Sequence, residues 1–277
     1  MVLPKNAAAN SLPELYHAPS SYFSMIARLA IAEAGIGYRP IFIDIHYRSS
    51  QQSPAYARLN PHMTVPTLAF SGSVICQSRE ILELSAREAN QKLNDEVISW
   101  IDLHYKFPVE ELTFGRLLAH NPLARALIPA RLASARRRLL RQASLCPDLA
   151  AAYEARAAVF AEREQTFDPN SAVRLAAMRR REAINLLDRL EKQIRDGRAV
   201  IVPPSYSAAD VVWTVFLARM QFVGLGNEIL TRPNICRYWA AMVERRSFKT
   251  ADIWTKMDLG RLIGGVFQER RQNAARR

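Results

Sequence analysis

Cysteine is nearly missing from this sequence. Cys76, Cys146 and Cys236 are the only three in 277 residues, and they stand far apart. An odd, sparse set excludes a disulfide framework and fits a reducing compartment. No Cys-x-x-Cys pair occurs, and the five histidines do not fall at metal-ligand spacing, so no metal site is expected. Long apolar runs are missing too. The stretch Val211–Leu217 falls far short of the roughly 20 residues that cross a bilayer. Met1–Leu12 has neither a basic patch leading into an apolar segment nor a small-residue cleavage site. Residues 1–12 are therefore read as a short disordered leader on a cytoplasmic protein.

What is present is the composition of a folded globular chain, with 49% hydrophobic and 23% charged residues. Its length is more natural for two domains than for one. The formal net charge is +12, carried in clusters such as Arg136-Arg137-Arg138, Arg179-Arg180-Arg181 and Arg245-Arg246. Such a balance attracts acidic partners in general. Most of these arginines, however, alternate with alanine and leucine at helical spacing, as on a solvated helix face. No helix-turn-helix pattern, RNA-binding aromatic pair or zinc finger accompanies them, so nucleic acid is not an expected partner.

The first ninety residues change period repeatedly. Glu14–His17 reads as a strand, Ser24–Ala34 as a helix stopped by Gly35 and Gly37, and Arg39–Ile45 as a second strand. A short helix follows near Pro54–Leu59. Thr67–Phe70 and Ser73–Cys76 flank Ser71-Gly72, which reads as a hairpin, and Glu80–Arg87 is helical again. Strand-helix-strand gives a parallel pair and the hairpin adds antiparallel strands. The expectation is a mixed four-stranded sheet covered by helices. From about Asp95 strand signals vanish, and helices are expected over Glu96–Leu118, Ala124–Ala143, Asp148–Thr166, Ser171–Asp196, Ala208–Val223, Pro233–Arg245 and Gly260–Gln272. The domains are expected at 13–90 and 95–257, with a basic tail at 258–277. In that tail Leu259, Leu262, Ile263, Val266 and Phe267 could line one face of a short peripheral helix, packed on the second domain or in weak contact with anionic membrane.

Several residues could carry chemistry, each with a plainer alternative. Val65-Pro66 opens the third strand; taken alone, the bond is expected to be trans, since cis is the minority state even before proline. A cis bond would turn the Val65 amide and carbonyl outward, able to pair with an extended peptide. Gln77-Ser78 opens a helix, where a serine either caps the helix or binds a carboxylate. Ser21 and Ser24 lie where the first strand gives way to the first helix. A hydroxyl there either caps the helix or faces a thiolate, which a helix N-terminus favours. Ser207-Ala208-Ala209-Asp210 matches a capping box in its Ser/Asp form. His62, His104 and Tyr105 are weaker candidates, and Cys76 is expected to face the core.

Taken together, these segments resemble the glutathione S-transferase family. Leu15-Tyr16 through Ser21 to Arg28-Leu29-Ala30 is similar to its first strand and catalytic-serine helix. Asn60-Pro61-His62-Met63-Thr64-Val65-Pro66-Thr67-Leu68 is similar to its cis-proline loop, and Gln77-Ser78-Arg79-Glu80-Ile81 to its glutathione-binding serine helix. Tyr206-Ser207-Ala208-Ala209-Asp210 is similar to its capping motif. The matches come in the family's order and span nearly the whole chain. Within the family, Trp213-Thr214-Val215, Leu217-Ala218-Arg219, Arg232-Pro233-Asn234, Arg245-Arg246-Ser247-Phe248 and the arginine-rich insertion at about 112–168 resemble the tetrachlorohydroquinone reductive dehalogenase branch. One departure stands out: that branch has a cysteine two residues after the serine, where this chain has Phe23.

The resemblance implies an α/β thioredoxin-like N-terminal domain with a mixed four-stranded sheet, followed by an all-α C-terminal domain. It implies glutathione as co-substrate, a hydrophobic small-molecule electrophile and a homodimer. Ser21 would stabilise the glutathione thiolate, Val65 with Pro66 would pair with the cysteinyl backbone, and Gln77 and Ser78 would hold the γ-glutamyl group. Phe23, His104 and Tyr105 would lie about the electrophile. Two alternatives stay open: a non-catalytic binding protein on the same fold, and a reductive dehalogenase without the usual cysteine.

Overall fold

The computed structural model describes residues 12–275; apart from Leu12, the expected leader lies outside the described residues. In chain order the elements are β1 (Glu14–His17), α1 (Tyr22–Glu33), β2 (Arg39–Phe42), α2 (Pro54–Leu59), β3 (Thr67–Phe70), β4 (Ser73–Ile75), α3 (Ser78–Glu88), α4 (Asp95–Tyr105) and α5 (Val109–His120). They continue as α6 (Pro122–Leu145), α7 (Ala150–Thr166), α8 (Ala172–Gln193), α9 (Ala208–Phe222), α10 (Gly226–Leu230), α11 (Pro233–Glu244), α12 (Arg246–Thr250) and α13 (Leu259–Ala275). The described chain forms two compact units. The first holds the residues up to Gln51, Thr64–Lys106 and those from Arg189 on; the second holds Gln52–Met63 and Phe107–Asp188.

In the first unit the sheet order is β2-β1-β3-β4. β1 and β2 run parallel, with Glu14 opposite Arg39 and His17 opposite Phe42. β3 is antiparallel to both β1 and β4. Leu15 and Leu68 point into one apolar cluster with Ala27 and Ile31 of α1 and Ile81 and Leu84 of α3, as period-2 strands and period-3.6 helices require when they share a core. Strand β2 stops at Phe42, three residues before the expected end, because Asp44 turns the chain. Its carboxylate accepts from the backbone N–H groups of His46, Tyr47 and Arg48 at 2.8–3.0 Å, an Asx-type turn that competes with strand continuation.

Helix α9 is apolar nearly all round and buried from Ala208 to Met220, the pattern of a central helix. Asp210 at its start is fully buried. Its carboxylate accepts from Ser207 N at 2.9 Å, Ser207 Oγ at 3.1 Å, Ile201 N at 2.9 Å and the Tyr238 hydroxyl at 2.9 Å. The expected Ser/Asp cap therefore also fastens the segment before α9 and helix α11. A second fastening joins α1 to the start of α12: Arg245 forks onto Glu33 at 2.7 and 2.6 Å, and Ser247 donates to the same carboxylate.

The second unit is helical. Leu132, Ala135, Leu139 and Ala143 of α6 bury a stripe with Tyr153, Ala157 and Phe160 of α7. The single helix expected over Glu96–Leu118 is broken between Tyr105 and Val109. Pro108 has no N–H to donate and restricts the residue before it, so the helix stops and restarts.

Two further expectations change. Cys76 lies one residue past β4 and is half-buried rather than facing the core from a strand. Phe267 of α13 is 56% exposed, so it is not part of a packed face; the side chains of Leu259, Leu262, Ile263 and Val266 lie outside the described residues. Among the described side chains, Gln272 fastens α13 to β2: it donates to Pro40 O at 2.9 Å and accepts from Phe42 N at 3.0 Å. Among the described residues no helix is long and apolar enough to cross a membrane.

Candidate active site

The strand register decides which loops meet. The end of β1 lies beside the start of β3, with Tyr16 opposite Thr67. The start of β3 lies beside the end of β4, with Leu68 opposite Ile75, and β2 ends alongside β1. One end of the sheet therefore collects the β1–α1 loop with Ser21, the Val65–Pro66 step before β3, Gln77-Ser78 after β4, and the Asp44–Arg48 turn after β2. The Val65–Pro66 bond is cis, contrary to the trans expectation from the dipeptide alone. The intrinsic preference is only about 0.5–1 kcal/mol, small enough for the packing around buried Pro66 to override.

Ser21 is the N-cap of α1, and its hydroxyl oxygen accepts from Ser24 N at 3.3 Å. It stays partly exposed, whereas Ser24 is fully buried with its Oγ accepting from Ala18 N at 3.4 Å. Of the two serines only Ser21 faces outward from the helix start. The loop before it is held by Arg28, which is 2% exposed. That guanidinium donates to Ala18 O at 3.2 Å, Pro19 O at 3.0 Å, Ala251 O at 2.7 Å and Asp252 O at 2.9 Å, and lies 3.2 Å from His17 Nδ1. Burial, with Arg28 alongside, keeps the His17 pKa well below the ordinary imidazole value. Arg28 was legible only as part of a motif. The missed signal was a charge on the same helical face as Met25 and Leu29.

Gln77 precedes α3, exposed and without a side-chain cap bond, while Ser78 is buried. The Ser78 hydroxyl lies 3.0 Å from the Tyr105 hydroxyl on α4. The Tyr105 ring stacks at 6.2 Å on Phe23, and the Arg79 guanidinium, paired with Glu83 and Asp102, lies 5.9 Å from the centroid of the same ring. Burial pushes the Tyr105 phenol pKa up, and either hydroxyl can donate in the bond to Ser78. Ser78, Tyr105 and Phe23 thus form one contiguous group.

His104 turns the other way. It is buried, 2.5 Å from the Tyr22 hydroxyl, and burial lowers its pKa to about 3. Arg219 lies over the Tyr22 ring at 5.2 Å. The Ser20–His46 hydrogen bond of 2.6 Å escaped the sequence reading, as did a small cleft lined by Pro19, Ser20, Phe42, His46, Trp254 and Gly265. Nothing in the spacing of these residues joins them.

The N-terminal domain of glutathione S-transferases matches residues 13–84. The tetrachloro-p-hydroquinone reductive dehalogenase of Sphingobium chlorophenolicum is 30% identical over 252 residues, covering 87% of this chain and 97% of the dehalogenase. The chain belongs to the glutathione S-transferase family. The glutathione S-transferase TCHQD of Arabidopsis thaliana is 28% identical over 244 residues, covering 85% of this chain and 88% of the plant protein. Among solved structures, the β-etherase LigF of Sphingobium sp. strain SYK-6 shares the fold with a TM-score of 0.61 at 18% identity, over 87% of this chain and 98% of the etherase.

As a glutathione S-transferase, the chain carries the mixed sheet and helical region expected of that fold, and it stands among glutathione-dependent enzymes. The pieces gathered at the sheet end are the ones the family resemblance singles out. The position two residues after Ser21 holds the phenyl ring of Phe23, packed edge-on to Tyr22 and stacked on Tyr105.

Proposed function

We propose that this transferase activates glutathione through Ser21 and adds it to a hydrophobic small-molecule electrophile. The observation that carries the reading is the strand register, which supports a single site built from Ser21, Val65–Pro66 and Gln77-Ser78. A thiol of pKa about 8.5 is mostly protonated at neutral pH. The Ser21 oxygen accepts from Ser24 N, so its own proton is left to donate to sulfur, and the start of α1 adds favourable potential. The thiol proton passes to solvent, the thiolate forms a carbon–sulfur bond, and the leaving group departs with its electron pair. The Val65 backbone pairs with the cysteinyl unit. Gln77 and Ser78 hold the γ-glutamyl carboxylate, with Tyr105 orienting the Ser78 hydroxyl. Phe23 and Tyr105 face the electrophile, and His104 supports them from behind through Tyr22. The β1–α1 loop, the Val65–Pro66 step and the start of α3 supply the glutathione side, Phe23 and the end of α4 supply the electrophile side, and the protein works as a cytoplasmic homodimer.

Reductive removal of halogen needs a further step, in which a second thiol attacks the sulfur of the conjugate and releases the reduced product. Phe23 offers no thiol, burial and Glu80 push the pKa of the half-buried Cys76 thiol up, and free glutathione is only a slow substitute, so the reaction stops at conjugation or at cleavage of an ether with glutathione as the consumed nucleophile. The test is retention on immobilised glutathione, followed by turnover of a generic electrophile and of a chlorinated hydroquinone. Wild type should be retained, and Ser21→Ala should lose about a hundredfold in kcat/KM, as for removal of one donor from a developing anion. Ser78→Ala should weaken glutathione binding by roughly 1.5–3 kcal/mol. Equal activity of Ser21→Ala, or full wild-type dechlorination of the hydroquinone, refutes the proposal. Sedimentation that finds only monomer at micromolar concentration refutes the dimer.

A further inference from the structure

Helix α6 runs 24 residues, from Pro122 to Leu145, without a single Asp or Glu. At 1.5 Å per residue it is about 36 Å long. Its inner stripe, Leu132, Ala135, Leu139 and Ala143, is buried. The opposite stripe combines two kinds of side chain. Leu123, Leu127 and Leu145 are 66%, 49% and 62% exposed, and at 100° per residue they share a face with Arg131, Arg137, Arg138 and Arg141, all exposed. Arg138 donates to Gln52. Arg131, Arg137 and Arg141 have no hydrogen-bond or ion-pair partner among the described residues.

A helix that only meets water gains from acidic partners three or four residues away and gains nothing from exposed leucines. The face presented by α6 is cationic in the middle and apolar towards both ends, the pattern of a helix that lies flat in a lipid interface. We propose that the outer face of α6 docks this protein on an anionic lipid surface, with Arg131, Arg137 and Arg141 against the headgroup phosphates and Leu123, Leu127 and Leu145 dipping below them. Charge complementarity selects this occupant. A second copy would set the same cationic, acid-free stripe against itself, since a twofold interface pairs like with like. A nucleic acid would leave the leucines idle, and α6 has no aromatic side chain on which a base could stack.

The test is co-sedimentation of the full chain with vesicles of phosphatidylcholine containing about a quarter phosphatidylserine, compared with pure phosphatidylcholine and a short DNA duplex. Wild type should bind the anionic vesicles, release them at high salt and bind neutral vesicles weakly. Each basic residue near an anionic surface strengthens partitioning about fivefold. The combined Arg131→Gln, Arg137→Gln and Arg141→Gln variant should therefore bind about a hundredfold more weakly. Leu123→Ser with Leu127→Ser should lower vesicle binding by about tenfold or more, with the charge intact. All substituted residues are exposed, and retained glutathione-resin binding and thermal midpoint serve as folding controls. Absence of binding to anionic vesicles overturns the proposal. So does binding that survives the arginine substitutions, binding indifferent to the leucines, or tighter binding to the duplex than to vesicles.

Discussion

Arg28 and Arg136 are both helical arginines, and the fold treats them in opposite ways. Arg28 lies inside the first unit with four backbone carbonyls and His17 around its guanidinium. Arg136 lies on α6 in the second unit, its side chain 38% exposed, paired at 2.8 Å with Glu164 of α7. The contrast is general. The first unit buries His17, Ser24, Arg28, Ser78, His104, Asp210 and Arg219, whereas the buried polar residues of the second unit, Gln52 and Asn60, lie outside its long helices, and none among the described residues lies on α5, α6, α7 or α8. The helices of the second unit hold together through an apolar seam, and their ion pairs, such as Arg136–Glu164 and Arg179–Glu111, lie at its margins. The first unit pays for buried polar groups because they fix loops, and the loops at its sheet end carry the candidate chemistry.

Arg28→Met should give the largest effect. It strands several buried carbonyls at once and should destabilise the first unit by about 3–5 kcal/mol, measured by urea unfolding; a loss under about 1 kcal/mol would remove the contrast. Acid should come next. His104 titrates near 6.5 when unfolded but is held at about 3 in the fold, so its contribution is intact above pH 6.5 and is lost as pH falls towards 3. Between pH 7 and 5 it should cost about 2 kcal/mol, with buried His17 adding in the same direction. The histidines of the second unit, His62 and His120, are exposed. Protection against hydrogen exchange, corrected for the intrinsic rate at each pH, should therefore fall at pH 5 in β1, α1 and α4 before α6 and α7, and His104→Asn should flatten the pH dependence; an equal loss of protection in both units contradicts this.

Tyr105→Phe removes only the hydrogen bond to Ser78. It should weaken glutathione binding about 2- to 10-fold by calorimetry and leave stability nearly unchanged, whereas tighter binding would mean that Tyr105 competes for Ser78. Arg136→Gln should give the smallest effect, within about 1 kcal/mol. A cost near that of Arg28→Met would show that the surface pairs of the second unit bear as much as the buried ones of the first.

The same contrast explains what the sequence disclosed. The four strands and the helices α1, α2 and α3 were legible because each writes its period into consecutive residues. Ser21, Pro66 and Ser78 were legible as a set because their segments come in a known order. The link from Ser78 to Tyr105 spans 27 positions and joins two hydroxyls that no pattern pairs. The reach of Arg28 to Ala251 and Asp252, and the cis form of Val65–Pro66, are likewise set by tertiary surroundings. Pro108 is the opposite case: the break between α4 and α5 stood in the sequence, and the helical run on either side concealed it.

Strand β2 is the outermost strand on its side of the sheet, and an outermost strand offers a row of peptide groups to any chain that passes. Gln272 answers this with an imitation. Its side-chain amide is chemically a peptide group, and it meets Pro40 O and Phe42 N, the acceptor and donor that a neighbouring strand would use. Helix α13 thus works as a stopper: one of its residues stands in for a fifth strand. Removing α13 would uncork the edge, and its first consequence should be concentration-dependent association of one sheet with the next rather than loss of the sheet itself.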